Sequence, residues 1–251
     1  MSFIVVIPAR LASTRLPNKV LRELAGEPML AHVCRAALAS RAERVIVATD
    51  STAIADAGQI AGAEVAMTRS DHSCGSDRIA EVVTTLALRD DQIVVNVQAD
   101  EPLMPVVLID QVGQALMDDP GAGMASARTP IVDAADFVNP NIVKVVSSAS
   151  GRALYFSRAP IPFHRASGNQ EVMGLGYRHL GIYAYRVAAL KRFSAAPVSA
   201  LEQHESLEQL RAFDLELGIA MVTAAQLPGP GVDTEADLIA VARLLEGPGS
   251  A

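Results

Sequence analysis

Four short runs of apolar, mostly β-branched residues divide the first hundred positions: FIVVI (3–7), RVIVAT (44–49), EVAM (64–67) and QIVVNV (92–97). Runs without polar alternation are what a parallel sheet needs when both of its faces are covered. Between them the apolar residues change period. Met29, Leu30, Val33, Cys34, Ala37 and Leu38 recur at intervals of three and four behind Pro28, a residue suited to a helix start. Asp50 or Ser51 can cap a second helix that ends near Gly62. Residues 76–89 carry a third helical pattern, and Pro105 opens a fourth over 106–118. This alternation predicts right-handed crossovers and an α/β, doubly wound, mostly parallel sheet.

The second half is more mixed. GMASART (123–129), IVKVVSS (142–148), ALYFS (153–157) and LGIYAYR (180–186) read as strands. A helix over 201–217, a strand over 219–224 and a last amphipathic helix over 235–245 follow. Residues 159–176, rich in Pro, Gly and polar side chains, read as a loop or a subunit-contact arm. The expected organisation is an α/β core from 1–130 and 215–251, with 131–214 as a smaller β-rich excursion, and the two can equally count as one domain.

Composition closes off several function classes. No apolar run approaches the ~18 residues that span a bilayer, so no membrane role is expected. The N-terminus has no cationic lead, and Pro8 and Arg10 interrupt its apolar run, which argues against a signal peptide. Cys34 and Cys74 are too few for a disulfide framework or a zinc site, so a cytoplasmic location is expected. A formal charge of −7 leaves no basic excess for a nucleic acid.

Against that acidic background, IPARLASTRLPNK (7–19) gathers Arg10, Arg15 and Lys19 on one loop after the first strand. Cations and backbone amides converging at a strand end describe a phosphate site, although neither a dinucleotide nor a P-loop fingerprint is present. The alternative is a solvated loop making surface ion pairs. In NVQADEP (96–102), Asp100 is the better Mg²⁺ ligand and Glu101 an orienting or capping group, unless Asp100 only caps a turn. In GPGVDTEAD (229–237), Asp233 or Thr234 is an N-cap, or Asp233 joins Asp100 in a two-carboxylate metal site. HSCGSDR (72–78) is either a helix start or a small-residue cradle with Arg78 above a base. Arg158, Arg178, His179, Tyr183 and Glu208 offer partners for a carboxylate and a polyol, with core packing as the alternative for His179 and Tyr183. The cation loop, Thr49-Asp50 and residues 98–101 all follow strands and are expected on one rim.

PARLASTRLPNK, RVIVATD, NVQADEP, ALYFSRAPIP, RHLGIYAYR, LEQLR and PGPGVDT, taken in order, resemble the 3-deoxy-manno-octulosonate cytidylyltransferases over nearly the whole chain. The resemblance implies a nucleotidyltransferase with a Rossmann-like sheet, cytoplasmic and homodimeric. Its implied reaction is Mg²⁺-dependent transfer of CMP from CTP to the sugar acid KDO for lipopolysaccharide biosynthesis. It implies Arg10, Ser13, Arg15 and Lys19 at the triphosphate, with Gly75, Ser76 and Arg78 also holding CTP. It implies Asp100 and Asp233 at the metal, with Lys19 and Arg10 beside them in catalysis. Gln98, Arg158, His179, Tyr183 and Glu208 are the implied KDO contacts. Ala99 and Asn18 stand where that family commonly has Gly, and Asn tolerates the left-handed backbone that a turn before Lys19 requires. The competing expectations are a cytidylyltransferase for a sialic acid or an amino analogue of KDO, and a non-catalytic CTP-binding regulator.

Overall fold

In the computed structural model, which describes residues 2–12, 15–165 and 176–246, the early β-α alternation is realised. β1 (Phe3–Ala9) leads through a two-residue hairpin, β2 (Glu23–Leu24) and β3 (Glu27–Pro28), into α1 (Met29–Leu38). Then come β4 (Arg44–Thr49), α2 (Thr52–Ile60), β5 (Glu64–Met67), α3 (Gly75–Thr85), β6 (Ile93–Asn96) and α4 (Val106–Asp118). The second half runs β7 (Met124–Pro130), α5 (Ala134–Val138), β8 (Lys144–Ser147), β9 (Ala153–Ser157) and β10 (Tyr177–Arg186). It closes with α6 (Val187–Ala195), α7 (Ala200–Glu205), α8 (Arg211–Asp214), β11 (Ile219–Thr223) and α9 (Glu235–Glu246).

The main sheet has the order β11-β7-β10-β6-β1-β4-β5. Parallel pairs join β5, β4, β1 and β6, while β10 runs antiparallel to both β6 and β7. β11 is parallel to β7, and β8 with β9 extends from the start of β10. Although β10 belongs to the span expected as an excursion, it occupies the middle of this sheet.

Alternation along β1 sorts the two cores. Phe3, Val5 and Ile7 pack with Leu30, Val33 and Cys34 of α1 and Leu108, Ile109 and Val112 of α4. Ile4 and Val6 pack on the opposite face with Ile79, Val82 and Val83 of α3 and Val187, Leu190 and Phe193 of α6. Both faces are therefore covered, which is why these strands carry no polar alternation. α4 approaches so closely that a Cβ at Gly113 would stand 2.7 Å from the Phe3 ring.

Several expected elements change. The helix expected over 201–217 is broken into α7, a 3-10 turn at Glu208–Leu210 and α8, because Ser206 adopts a positive φ of 51°. The helix expected over 76–89 stops at Thr85, ahead of Ala87 with φ 48°. α6 lacked a sequence assignment. The break at Ser206 is stabilised from both sides. Ser199 and Glu202 form a reciprocal cap at the start of α7, and Glu202 also takes two hydrogen bonds from buried Arg211, at 2.6 and 2.8 Å. No described helix is long and apolar enough to cross a membrane.

Candidate active site

β1, β4 and β6 end on one edge of the sheet because they are parallel, so the loops that follow them share a rim. On that rim lies a cavity of about 740 Å³. Arg10, Arg15 and Lys19 line it from the first loop, and Asp100 and Asp233 line it from the loops after β6 and before α9. Gln98, Gly75, Ser76, Arg78, Tyr183 and Glu208 also reach it. Ser13 lies outside the described residues, as does most of the expected 159–176 loop.

The loop turns at Asn18, whose φ of 54° and ψ of 30° are left-handed, and the Leu21 amide closes the turn on the Asn18 carbonyl at 2.9 Å. This directs Lys19 inward. Its ammonium donates to Asp100 Oδ2 at 2.7 Å and to Asp233 Oδ1 at 3.1 Å, and Arg15 pairs with the same Asp233 oxygen at 3.0 Å. Burial works to lower the Lys19 pKa, but the hydrogen bonds and charges of the two carboxylates outweigh it and hold the ammonium above its usual value.

Beside both acidic residues, other groups make the cap and the turn. Thr234 caps α9: its hydroxyl accepts from the Asp237 amide at 3.2 Å and donates to that carboxylate at 2.8 Å. That leaves the Asp233 carboxylate for Lys19 and Arg15. Asp100 does not serve as a turn cap either, since the turn after β6 closes through backbone, Glu101 N–H to the Gln98 carbonyl at 3.2 Å. A further backbone bond, Val232 N–H to the Asp100 carbonyl at 2.9 Å, ties the two acidic loops together. Burial, aided by the charge of Asp100, pushes neighbouring Glu101 up to about 7, which makes it a poorer cation ligand near neutrality.

The two carboxylates suit Mg²⁺. They are hard oxygen donors, and both already converge on one cation, the Lys19 ammonium. Among the described residues no group of three or more His, Cys, Asp or Glu ligands gathers, so the other coordination positions would fall to substrate oxygens and water.

On the facing wall, Glu208 is held by Cys74 Sγ–H at 3.2 Å and Ser76 Oγ–H at 3.3 Å, with Arg211 3.9 Å away. Burial raises the Glu208 pKa against the pull of these partners. Arg78 is buried, fixed by the Thr68 hydroxyl, by the Arg69 carbonyl at 3.2 Å and by Asp50 at 3.5 Å. It forms a side of the cavity rather than an open cation.

Two expected sugar residues stand apart from this group. The Arg158 guanidinium is committed to carbonyls of Glu205 (2.7 Å), Pro140 (3.0 Å) and Ser206 (3.3 Å), where it braces the break between α7 and Glu208. His179 is buried beside Phe156 and Tyr183. Ser126 Oγ–H donates toward the Ile182 carbonyl at 2.8 Å and the Leu180 carbonyl at 3.2 Å, and His179 Nε2 lies 2.9 Å from the same oxygen. Neither Arg158 nor His179 lines the cavity. Sequence reasoning left His72, Cys74, Asn96 and Tyr185 unassigned, yet all four line the cavity. Asn96 and Tyr185 were findable as same-face neighbours, two residues along a strand, of Gln98 and Tyr183.

Burial depresses His179 from 6.5 to about 3. The unfolded chain therefore takes up a proton near pH 6.5 that the folded chain refuses until about pH 3, and stability is lost as pH falls through that window. In urea unfolding, His179→Gln is expected to be less stable than the parent at pH 7. The gap should narrow by about 2 kcal/mol between pH 6.5 and 5. A gap that stays constant would contradict a neutral, buried imidazole.

A family model described as cytidylyltransferase matches residues 4–219. The 3-deoxy-manno-octulosonate cytidylyltransferase of Cellvibrio japonicus (strain Ueda107) is 53% identical over 253 residues, 98% of this chain and 99% of that protein. The protein of the same name from Thioalkalivibrio sulfidiphilus (strain HL-EbGR7) is 51% identical over 249 residues, again 98% of this chain and 99% of that one. A solved structure of CMP:2-keto-3-deoxy-manno-octonic acid synthetase complexed with CTP has a TM-score of 0.90 at 40% identity, covering 98% of this chain and 99% of its own. The chain thus belongs to the cytidylyltransferase family, among the 3-deoxy-manno-octulosonate cytidylyltransferases, and is a nucleotidyltransferase.

Proposed function

We propose that this chain transfers CMP from CTP to KDO, releasing pyrophosphate and supplying activated KDO to lipopolysaccharide. One observation carries this: a cation loop and two carboxylates meet in one cavity that Gln98, Tyr183 and Glu208 also line.

An acidic sugar must approach a triphosphate, so like charge is the first obstacle. Arg10, Arg15 and Lys19 offset it at the phosphates, while Gly75, Ser76 and Arg78 hold the nucleoside end. The anomeric hydroxyl of KDO gives up its proton to water and attacks the α-phosphorus in line, and the bond from that phosphorus to the α–β bridging oxygen breaks, that oxygen leaving with pyrophosphate. Negative charge then grows on the departing pyrophosphate, where the fixed cations stabilise it. Asp100 and Asp233 would hold Mg²⁺, which when bound supplies charge neutralisation at phosphoryl oxygens and lowers the pKa of a nearby hydroxyl. Gln98, Tyr183 and Glu208 hold the acceptor, Arg158 keeps the turn before Glu208 in place, and His179 backs Tyr183. Orientation by these groups supplies much of the remaining rate. A homodimer in the cytoplasm, where Cys34 and Cys74 stay reduced, is the expected setting.

The test is pyrophosphate release from CTP and Mg²⁺ across a panel of acidic sugars. Release with KDO alone is expected, whereas release with a sialic acid or an amino analogue instead would reassign the acceptor. Tight CTP binding without release for any sugar would favour a regulator. Arg15 pairs with Asp233 at the exposed mouth, so Arg15→Ala should raise the KM for CTP by about ten-fold, one charge-assisted contact, with a smaller effect on KDO. An unchanged CTP dependence would remove Arg15 from the triphosphate.

A further inference from the structure

Among the described residues, four buried side-chain atoms have no hydrogen-bond partner: Asp50 Oδ1, Asn96 Oδ1, Arg128 Nε and Ser147 Oγ. Of these residues only Asn96 lines the cavity, and it is only 8% exposed. An interior amide oxygen without a donor is a standing cost to the fold and calls for a specific explanation. Asn96 ends β6, behind three buried apolar residues, Ile93, Val94 and Val95.

Its surroundings indicate what could satisfy it. Asn96 pairs across the sheet with Tyr183 of β10. Gln98, two residues on, shares its face, and Tyr185 and Glu208 complete this part of the lining. Burial raises the Tyr183 and Tyr185 hydroxyls, which stay protonated donors. Amides, phenols and one carboxyl make a surface suited to hydroxyl groups.

We infer that Asn96 is a further specificity-determining residue for the acceptor: its amide receives one hydroxyl of the sugar acid, which supplies the missing hydrogen bond. This rests on the acceptor being a polyhydroxylated sugar acid, as proposed above. It also explains why a polar residue persists at that strand position, since a site built to hydrogen-bond a hydroxyl rejects analogues that lack it.

The experiment compares the full chain with Asn96→Leu and Asn96→Ala in pyrophosphate release, varying KDO at saturating CTP and then the reverse, with Tm measured alongside. KDO analogues lacking one hydroxyl at a time form a second arm. The acceptor KM is expected to rise about ten-fold, the worth of one hydrogen bond. The CTP KM should stay within about two-fold, and the Tm of Asn96→Leu should be unchanged or higher because an unsatisfied group leaves the interior. One analogue should be used about ten-fold less well than KDO by the parent chain, yet equally well by Asn96→Leu. An unmoved acceptor KM would overturn the inference and leave a resident water as the partner. Equal losses toward both substrates with a lowered Tm, or undiminished discrimination against every analogue, would overturn it in favour of a structural role. A parent chain active only on another acidic sugar would overturn the KDO reading, and an unmoved KM for that sugar would then overturn Asn96.

Discussion

Asp100→Asn should reduce saturated pyrophosphate release by two or more orders of magnitude while leaving the Tm within a few degrees of the parent. The substitution keeps the shape of the side chain and an acceptor oxygen for Lys19, so the rim should stay folded. What it removes is one of the two negative charges that converge on a cation there. A contact that stabilises developing transition-state charge is worth about 10²–10³ in turnover. Because Asp233 remains, residual activity should persist but require more Mg²⁺, moving the midpoint of a Mg²⁺ titration upward. Near-normal release at ordinary Mg²⁺ would show that Asp100 serves only to hold Lys19.

The second large effect is on stability. Arg211→Met should lower the unfolding free energy by about 3–5 kcal/mol, because it strands the buried Glu202 carboxylate without its partner. Against a total of about 5–15 kcal/mol, that approaches the limit of what the fold can lose. At about 2–4 °C per kcal/mol for a chain of this size, a fall in Tm of about 10 °C is expected. Arg211 also donates to the Phe193 carbonyl at 3.1 Å and lies over that ring at 4.7 Å, contacts that methionine replaces only in part. Pairing the change with Glu202→Gln should recover much of the loss, since no buried charge is then left alone. A Tm fall of less than about 2 °C for the single variant would mean that the carboxylate finds water instead.

The run at 44–49 was legible because burial on both faces forces β-branched residues, and it coincides with β4 to the residue, while the run at 64–67 coincides with β5 although that edge strand is only partly covered. The place of the cation loop was legible because it follows a buried strand, and Arg10, Arg15 and Lys19 do line the cavity on the rim expected for them. Its turn was legible too, since Asn at position 18 can take the left-handed backbone that it does take. What stayed hidden depends on direction. An arginine reads the same whether it faces a ligand or three carbonyls, so Arg158 gave no sign of its commitments. For His179 the sequence left ligand contact and core packing both open, and the ring is buried with its Nε2 2.9 Å from Ser126 Oγ. The break at Ser206 was masked by helical spacing, since tertiary pairing of Glu202 with Arg211 decides it, not local propensity.

The clasp between the Val232 amide and the Asp100 carbonyl bears on how the protein is made. Every strand of the sheet lies before residue 224, whereas Asp233 follows it. As the chain emerges during translation, every strand of the sheet is made while Asp100 still lacks Asp233 beside it on the rim. Asp233 arrives with the last helix, tied down by Val232 packing with Leu16, Leu24 and Leu238. The pairing of Lys19 with both carboxylates is therefore the last part of the rim to be completed, although no strand of the sheet depends on it.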